Sequence, residues 1–230
     1  MTAVLRAEGV CRNAGTLAIV VDASLAIDAG EWVSLVGPSG CGKTTLLMLL
    51  GLLDKPDRGR VWLDGEDVAP WSSLARARAR LTTIGFVFQT QNLLDHLTAR
   101  ENVALPAWRA GGSREAAMRA ADGLLARFGL ADRATTRAGQ LSTGEAQRTA
   151  IARALINKPK LVFADEPTGS LDSANTALVL DALTEVTADG AALLVATHDP
   201  AVAKRGRPLT MRDGRLGDQS RGTPVAPQEP

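Results

Sequence analysis

The chain of 230 residues carries 26 Lys and Arg against 25 Asp and Glu, a net charge of +1, and its composition is 45% hydrophobic and 22% charged. These values are typical of a soluble globular protein and argue against a nucleic-acid binder, which needs a basic patch or stripe. With only two cysteines, Cys11 and Cys41, a disulfide scaffold is also not indicated.

No stretch of the sequence predicts a membrane span. The most apolar segment, residues 46–53, is far too short to cross a bilayer and indicates a buried helix face. The first eight residues lack the basic start and long apolar run of a signal peptide. We therefore expect a cytosolic chain that reaches a membrane only through a partner.

Predicted strands and helices alternate along the chain. Short apolar or β-branched runs predict strands over residues 17–27, 31–36, 60–63, 84–88, 161–164 and 191–196. Helical patterns cover residues 43–53, about 93 to 157, and 174–188, and Pro159 ends the second of these because proline cannot continue a helix. This alternation predicts a mainly parallel α/β sheet. Residues 217–230, with little apolar content, predict a disordered tail.

A glycine-rich turn joins the second predicted strand to the first predicted helix. It matches the pattern G-x-x-x-x-G-K-[ST], in which glycines let successive backbone N–H groups point at phosphate oxygens. Lys43 can bridge the β- and γ-phosphates, and the Thr44 hydroxyl can hold Mg²⁺. A chance glycine-rich turn is the alternative, but the position between a strand and a helix argues against it. The candidate nucleotide-binding residues here are Gly37, Pro38, Ser39, Gly40, Cys41, Gly42, Lys43, Thr44 and Thr45.

Polar residues also follow two later strands. Asp165 ends an apolar strand, where an Asp can hold Mg²⁺ in P-loop NTPases, and the adjacent Glu166 can polarise an attacking water. Taken alone, such a pair is usually a solvated turn, and His198 at the end of another strand is usually a capping or core residue. A chain that already carries the phosphate loop favours the functional interpretation.

The segment LSTGE at residues 141–145 opens a predicted helix. Ser142 and Glu145 fit a capping box, which is the structural interpretation. A helix N-terminus with a Ser hydroxyl and the bare Gly144 is also a phosphate site, and both interpretations can hold together. Two phosphate sites on one chain suggest that the second serves the nucleotide of another chain.

In this order, these segments resemble the ABC ATPase family over roughly residues 5–216. The resemblance implies ATP and Mg²⁺ as cofactors and Glu166 and His198 as catalytic residues. The matching segments are a Walker A loop at 37–44, a Q-loop Gln89, a signature motif at 141–145, a Walker B strand at 161–166, a D-loop at 170–172 and a switch His198. The implied metal residues are Thr44, Gln89 and Asp165, and the further nucleotide contacts are Gln89, Ser142, Gly144, Glu145 and Asp172.

The resemblance also implies an architecture and an assembly. One ATPase domain at 1–216 would hold a P-loop NTPase α/β core of the RecA-like type, an antiparallel β subdomain and an α-helical subdomain at about 91–157. Two such domains would dimerise head to tail, as a homodimer or a heterodimer. Each ATP would then lie between the Walker loop of one chain and residues 142–144 of the other, and Gln89 would link the nucleotide to a transmembrane partner.

Two segments are similar to one subfamily within this family. Residues 84–89 and 97–106 are similar to the subfamily that powers lipoprotein release and macrolide export, although a related cell-division ATPase shares much of this pattern. The expected function is an ATP-hydrolysing subunit of a membrane transporter, on the inner face of the cell membrane, with permease subunits on separate chains. The alternatives are a non-transporting ATPase coupled to a membrane partner and a soluble ABC protein of translation or DNA repair. A single domain without a long insertion argues against the last.

Two positions depart from the family pattern. Thr143 stands where the family usually carries Gly, so a β-branched residue would be strained if the backbone there needs an unusual φ. Ala14 stands near the place of an aromatic residue that stacks on adenine, and the chain contains no Tyr. We expect Arg12 to replace this stacking in part; alternatively, Val20 or Val21 packs against the base.

Overall fold

The protein is a mixed α/β molecule in which helices flank two sheets. The computed structural model describes residues 3–169 and 171–217. The strands in these ranges are β1 (Ala3–Ala14), β2 (Leu17–Asp28), β3 (Trp32–Val36), β4 (Arg58–Leu63), β5 (Glu66–Asp67), β6 (Ile84–Val87), β7 (Leu161–Asp165), β8 (Ala192–Thr197), β9 (Arg207–Arg212) and β10 (Arg215–Leu216). The helices are α1 (Lys43–Leu50), α2 (Ser73–Thr82), α3 (Ala99–Arg109), α4 (Arg114–Arg127), α5 (Thr143–Leu155), α6 (Ser173–Ala188) and α7 (Pro200–Ala203), with short 3-10 helices at Ala131–Arg133 and Ala138–Gln140.

The larger sheet is mainly parallel, and the predicted α/β class is confirmed. Its order is β10-β9-β3-β8-β7-β6, and neighbouring strands are parallel except for the edge pair of β9 and β10. Every residue of β8 is buried, because a strand covered on both faces needs a continuous apolar run. The carboxyl ends of β3, β6, β7 and β8 lie at one edge of the sheet, and the candidate site residues follow these ends.

The smaller sheet is antiparallel, in the order β2-β1-β4-β5. The turn between β4 and β5 consists of Asp64 and Gly65, with φ values of 54° and 84°. Both values are positive, as a two-residue hairpin of type I′ requires, and an Asp-Gly pair accepts them readily. A tight hairpin therefore joins β4 and β5.

Two hydrophobic clusters cover the two faces of the parallel sheet. Along β7, Leu161 and Phe163 belong to the first cluster, whereas Val162 and Ala164 belong to the second. This alternation follows from the two-residue period of a strand. The first cluster includes α1 and the antiparallel sheet, and the second includes helices α3 to α6. Packing on both faces thus fixes the strand ends that carry the candidate site.

Several predicted boundaries need correction. The helix predicted over residues 43–53 ends at Leu50, and Leu52 already has a left-handed φ of 61°. The single helical region predicted from about 93 to 157 consists of α3, α4 and α5 with turns between them. No sequence pattern predicted β1, β5, α2, α7, β9 or β10. The proposed limits of a helical subdomain stay a prediction, and the predicted tail lies outside the described residues except for Gly217. None of the helices in the described ranges combines the length and the apolar character needed to traverse a bilayer.

Candidate active site

The phosphate loop lies between β3 and α1, pressed against two other strands. A Cβ atom on Gly37 would lie 2.2 Å from the carbonyl oxygen of Met211, and one on Gly42 would lie 2.5 Å from that of Ile19. Gly42 also has a φ of 106° and precedes the first residue of α1. Only glycine therefore fits at these two positions, and the turn they form exposes the N-terminal N–H groups of α1 to a ligand.

Some residues of the phosphate loop are exposed, and others are buried beneath them. Pro38, Ser39 and Gly40 are exposed, whereas Cys41 and Gly42 are buried. Thr45 is half-buried on the first turn of α1. Anions would reach the loop from the side of the exposed residues, and the buried residues fix the conformation of its backbone.

Lys43 is buried with its ammonium group folded over the loop. Its side chain is 6% exposed, and Nζ donates to the carbonyl oxygens of Gly37 at 2.7 Å and Pro38 at 3.1 Å. Nζ also lies 3.8 Å from a carboxylate oxygen of Glu166. These contacts hold a positive charge at the place where the pattern predicts phosphate binding.

Thr44 and Asp165, which the sequence predicts to bind Mg²⁺, lie side by side. The Thr44 hydroxyl donates to Asp165 Oδ2 at 2.8 Å, although the two residues are far apart in sequence. Among the described residues, Asp165 Oδ1 is buried without a hydrogen-bond partner. Burial raises the pKa of Asp165 above its usual value, and the Thr44 hydrogen bond opposes this shift.

These two side chains fit Mg²⁺. No group of three potential metal-ligating His, Cys, Asp or Glu residues occurs within residues 3–169 and 171–217. Mg²⁺ does not need such a group, because it is usually bound by one or two protein oxygens, waters and the phosphates of the substrate. The unpartnered oxygen of Asp165 and the adjacent hydroxyl of Thr44 supply oxygen ligands of that kind.

The predicted catalytic pair is brought together at the ends of β7 and β8. Glu166 Oε1 lies 2.9 Å from His198 Nδ1, and Oε2 accepts a hydrogen bond from the backbone N–H of His198 at 3.3 Å. Glu166 has a left-handed φ of 44°, and its N–H donates to Ala196 O. A strained backbone that is held by neighbouring strands is common where a side chain must be aimed. The Glu166 carboxylate, 14% exposed, is therefore fixed beside Lys43.

Two further predicted site residues, Gln89 and Asp172, have other surroundings. Gln89 follows β6 and is exposed, and its Nε2 lies 3.8 Å from where a Cβ on Gly169 would be. Asp172 caps α6, and its Oδ1 accepts the Asn175 N–H at 2.8 Å, a bond that lowers the pKa of Asp172. Within the described residues, neither side chain is hydrogen-bonded to Thr44 or Asp165. Their roles toward nucleotide and metal stay predictions.

The segment at residues 142–145 forms the capping box expected from the sequence. The Ser142 hydroxyl accepts the N–H of Glu145 at 3.3 Å, and Glu145 Oε2 accepts the N–H of Ser142 at 2.9 Å. Thr143 is the first residue of α5 and has no positive φ, so its β-branched side chain causes no backbone strain. In the part of the chain that is described, no hydrogen bond or ion pair joins this segment to the phosphate loop.

Two residues at this segment were not found by the sequence analysis. Arg133 Nε donates to Glu145 Oε1 at 2.7 Å, and this bond is the main reason that the pKa of Glu145 is lowered. Asn175 packs against the other side of the helix end, since a Cβ on Gly144 would lie 2.2 Å from its Oδ1. Neither residue belongs to a motif or a helical spacing that relates it to residues 142–145.

Comparison with known proteins places this site in a family. The family model described as ABC transporter matches residues 20–169. The lipoprotein-releasing system ATP-binding protein LolD of Aquifex aeolicus is 42% identical over 217 residues, which are 94% of this chain and 97% of that protein. LolD 1 of Caulobacter vibrioides is 51% identical over 195 residues, 84% of this chain and 83% of that protein. The macrolide export ATP-binding/permease protein MacB 1/2 of Paracoccus denitrificans is 42% identical over 232 residues, 98% of this chain but 35% of that protein.

Solved structures lead to the same assignment. A dimeric post-hydrolysis state of the ATP-binding cassette MJ0796, bound to ADP and Pi, superposes with a TM-score of 0.87 at 36% identity and covers 95% of this chain and 100% of that chain. The resemblance of the sequence to LolD-type and MacB-type proteins is thereby confirmed, as is the predicted ATPase activity. The chain belongs to the ABC transporter family, as an ATP-hydrolysing subunit of the lipoprotein-release and macrolide-export type.

Proposed function

We propose that this ATPase hydrolyses Mg²⁺-bound ATP at the interface of a head-to-tail dimer and drives permease subunits that are separate chains. The observation that carries the proposal is the convergence of Lys43, Thr44, Asp165, Glu166 and His198 at one sheet edge. These side chains supply phosphate binding, metal binding and a base.

The order of events follows from the chain's own groups. The loop N–H groups and Lys43 bind and orient the phosphates, and Thr44 and Asp165 would hold Mg²⁺. When bound, this ion neutralises charge that develops on the phosphate oxygens. Glu166 then orients the attacking water and accepts its proton on the carboxylate. His198 Nδ1 fixes that carboxylate, so the base keeps one direction.

The dimer is supported by the second helix N-terminus. The Ser142 hydroxyl accepts the Glu145 N–H and can still donate its own proton, and the N–H groups of Thr143 and Gly144 have no partner within the helix. Such a helix end binds phosphate. The similar cassette MJ0796 is dimeric with ADP and Pi, which fits an ATP site shared between two chains, either identical or related.

The names of the relatives support a proposal for the location and the cargo. The names of the LolD relatives refer to a lipoprotein-releasing system, and that of MacB to macrolide export. We infer that this chain is peripheral on the inner face of the cell membrane through its permease and powers extrusion of an amphiphilic cargo of this kind. A non-transporting ATPase coupled to a membrane partner, as in cell-division signalling, is the second candidate.

Copurification tests this proposal. The tagged chain, extracted with mild detergent, is expected to retain a multi-span membrane protein that stimulates its ATPase activity after reconstitution. Lys43→Ala serves as the control, because it should retain the partner without hydrolysis. Stimulated hydrolysis together with cargo movement supports a transporter, whereas stimulated hydrolysis without any cargo supports the second candidate. The absence of any membrane partner contradicts both.

The hairpin between β1 and β2 is where an aromatic residue would stack on the nucleotide base, so its residues bear on the choice between ATP and GTP. Ala14 is exposed there, and the Arg12 guanidinium, which we expected to replace the missing aromatic stacking, instead pairs with Asp54 at 2.8 Å and Asp57 at 2.9 Å. Val20 is buried and is also not available to pack against a base, whereas Leu17 is 68% exposed. These contacts support neither Arg12 nor Val20 as a substitute for the absent aromatic ring.

We therefore expect weak ATP binding, with GTP binding almost as tightly. Ala14→Tyr should strengthen the binding of both nucleotides by about 1–3 kcal/mol, because stacking on an aromatic ring hardly depends on the base. Titrations of the isolated subunit with ATP and GTP measure this. Ala69→Tyr, exposed beyond β5 at the far edge of the same sheet, is the matched control. If Ala14→Tyr binds neither nucleotide more tightly than the parent, adenine does not lie on this hairpin.

A further inference from the structure

The carboxylate of Glu145 has two partners at the N-terminus of α5. Oε2 accepts the backbone N–H of Ser142, and Oε1 accepts the Arg133 guanidinium at 2.7 Å. Arg133 comes from the 3-10 helix Ala131–Arg133, which follows α4. The Glu145 side chain is 21% exposed and that of Arg133 is 51% exposed, so the pair lies at the surface.

This arrangement places a negative charge where an anion is to bind. The first turn of a helix favours one anionic group through its dipole and its free N–H groups. Arg133 and the Ser142 N–H lower the pKa of Glu145, so this carboxylate is ionised at neutral pH. If the same helix end receives the phosphates of an ATP bound to another chain, two like charges must share it. Such an arrangement opposes binding unless one charge is balanced.

We propose that Arg133 is a positioning residue that balances the charge of Glu145 and so allows the N-terminus of α5 to receive the phosphates of ATP bound by a second copy of this chain or a related one. The inference rests on the proposed dimer. It assigns Arg133 a role through Glu145 and not through contact with the nucleotide.

The local geometry suits that role. The backbone of Arg133 is held by its N–H to Leu130 O at 3.0 Å and by the Thr136 N–H to its carbonyl oxygen at 2.9 Å. A guanidinium keeps its charge at every relevant pH, and here its Nε is directed at Glu145. Because Glu145 Oε2 remains bound to the Ser142 N–H, the cap and the charge balance use different oxygens. A glutamine at position 145 could still accept the Ser142 N–H but would carry no charge. Glu145→Gln therefore separates capping from charge balance.

The experiment uses full-length chains with Glu166→Gln, which should dimerise with ATP. Dimer dissociation constants are measured by analytical ultracentrifugation with ATP and Mg²⁺ for Arg133→Ala, Glu145→Gln and the double variant. Arg133→Ala is expected to weaken the dimer about tenfold, which corresponds to roughly 1.4 kcal/mol. The added Glu145→Gln should restore the dimer to within about twofold, because the unbalanced charge is gone. The defect of Arg133→Ala should also shrink at high salt.

The matched control is Arg119→Ala on α4, which removes an exposed arginine paired with Glu115 and should leave the dimer unchanged. ATP binding to the monomer should be the same in all variants, since the phosphate loop is a separate site. A double variant that stays as weak as Arg133→Ala overturns the inference, because Arg133 then acts directly on the nucleotide or on the fold. An unweakened Arg133→Ala dimer overturns it as well. If the Glu166→Gln parent does not dimerise with ATP, the proposed function fails first, and the role of Arg133 fails with it.

Discussion

Replacing Glu166 with Gln is expected to lower kcat for ATP hydrolysis by about 10²–10⁴-fold while ATP binding persists. The carboxylate lies 2.9 Å from His198 Nδ1 and 3.8 Å from Lys43 Nζ, so it faces the predicted position of the phosphates. An amide of the same shape keeps the packing but accepts a proton far more weakly. ATP should then hold the dimer together, because the step that ends this state is missing.

Phosphate release and size-exclusion chromatography with ATP measure these two effects. Glu115→Gln, an exposed carboxylate on α4, is the matched control and should hydrolyse ATP at the parental rate. A Glu166→Gln variant that remains monomeric with ATP and still hydrolyses it at the parental rate would remove Glu166 from the mechanism. Hydrolysis would then need another general base at the end of β7 or β8.

The parts of the site that could be predicted from sequence are those held by contiguous residues. The phosphate loop is one continuous segment, and its glycines are required by local backbone geometry and by strands that press on it. Asp165 and His198 could be located because Asp165 ends one buried apolar strand and His198 follows another. The parallel sheet then brings such strand ends together, so the contact between Glu166 and His198 follows from topology.

Elements held by tertiary contacts could not be predicted in this way. Helix α2 has the sequence SLARARARLT, in which Ala and Arg alternate with the two-residue period that is typical of a strand. It forms with Ser72 as its cap, while Arg76 donates to Val68 O and Arg80 donates to Leu52 O. The bond from Arg80 joins segments 28 residues apart and has no local sequence signal. The pairing of Arg133 with Glu145 escaped prediction for the same reason.

The backbone at Thr143 shows a third limit on what can be predicted from the sequence. Comparison of residue types suggested strain, because glycine is usual at that position in the family. The capping box instead starts α5 at Thr143 with an ordinary φ, so the β-branched side chain is accommodated. The tightest packing falls one residue later, where a Cβ on Gly144 would lie 2.2 Å from Asn175 Oδ1, so the Asn175 side chain would have to move. Sequence comparison identifies the motif, but only packing shows which of its residues lies closest to its neighbours.

Asp165→Asn is expected to separate activity from stability. Hydrolysis should fall by at least about 10²-fold, because the variant loses the charge that would hold Mg²⁺ next to Thr44. The folded protein without nucleotide should be equally stable or slightly more stable. The asparagine oxygen can still accept the Thr44 hydroxyl. The substitution also removes the charge of a carboxylate whose Oδ1 is buried without a hydrogen-bond partner among the described residues.

Two measurements check this expectation. Activity is followed against Mg²⁺ concentration, and thermal unfolding is followed with and without ATP and Mg²⁺. In the parent, a ligand that binds only the folded state raises the melting temperature, and most of this increase should disappear in Asp165→Asn. The matched control is Asp64→Asn, which removes an exposed carboxylate paired with Lys160 and should change neither activity nor the effect of Mg²⁺. If Asp165→Asn keeps the parental rate and the parental dependence on Mg²⁺, the metal lies elsewhere. A large loss of stability without ligand would instead make Asp165 a structural residue whose buried oxygen contributes to the fold.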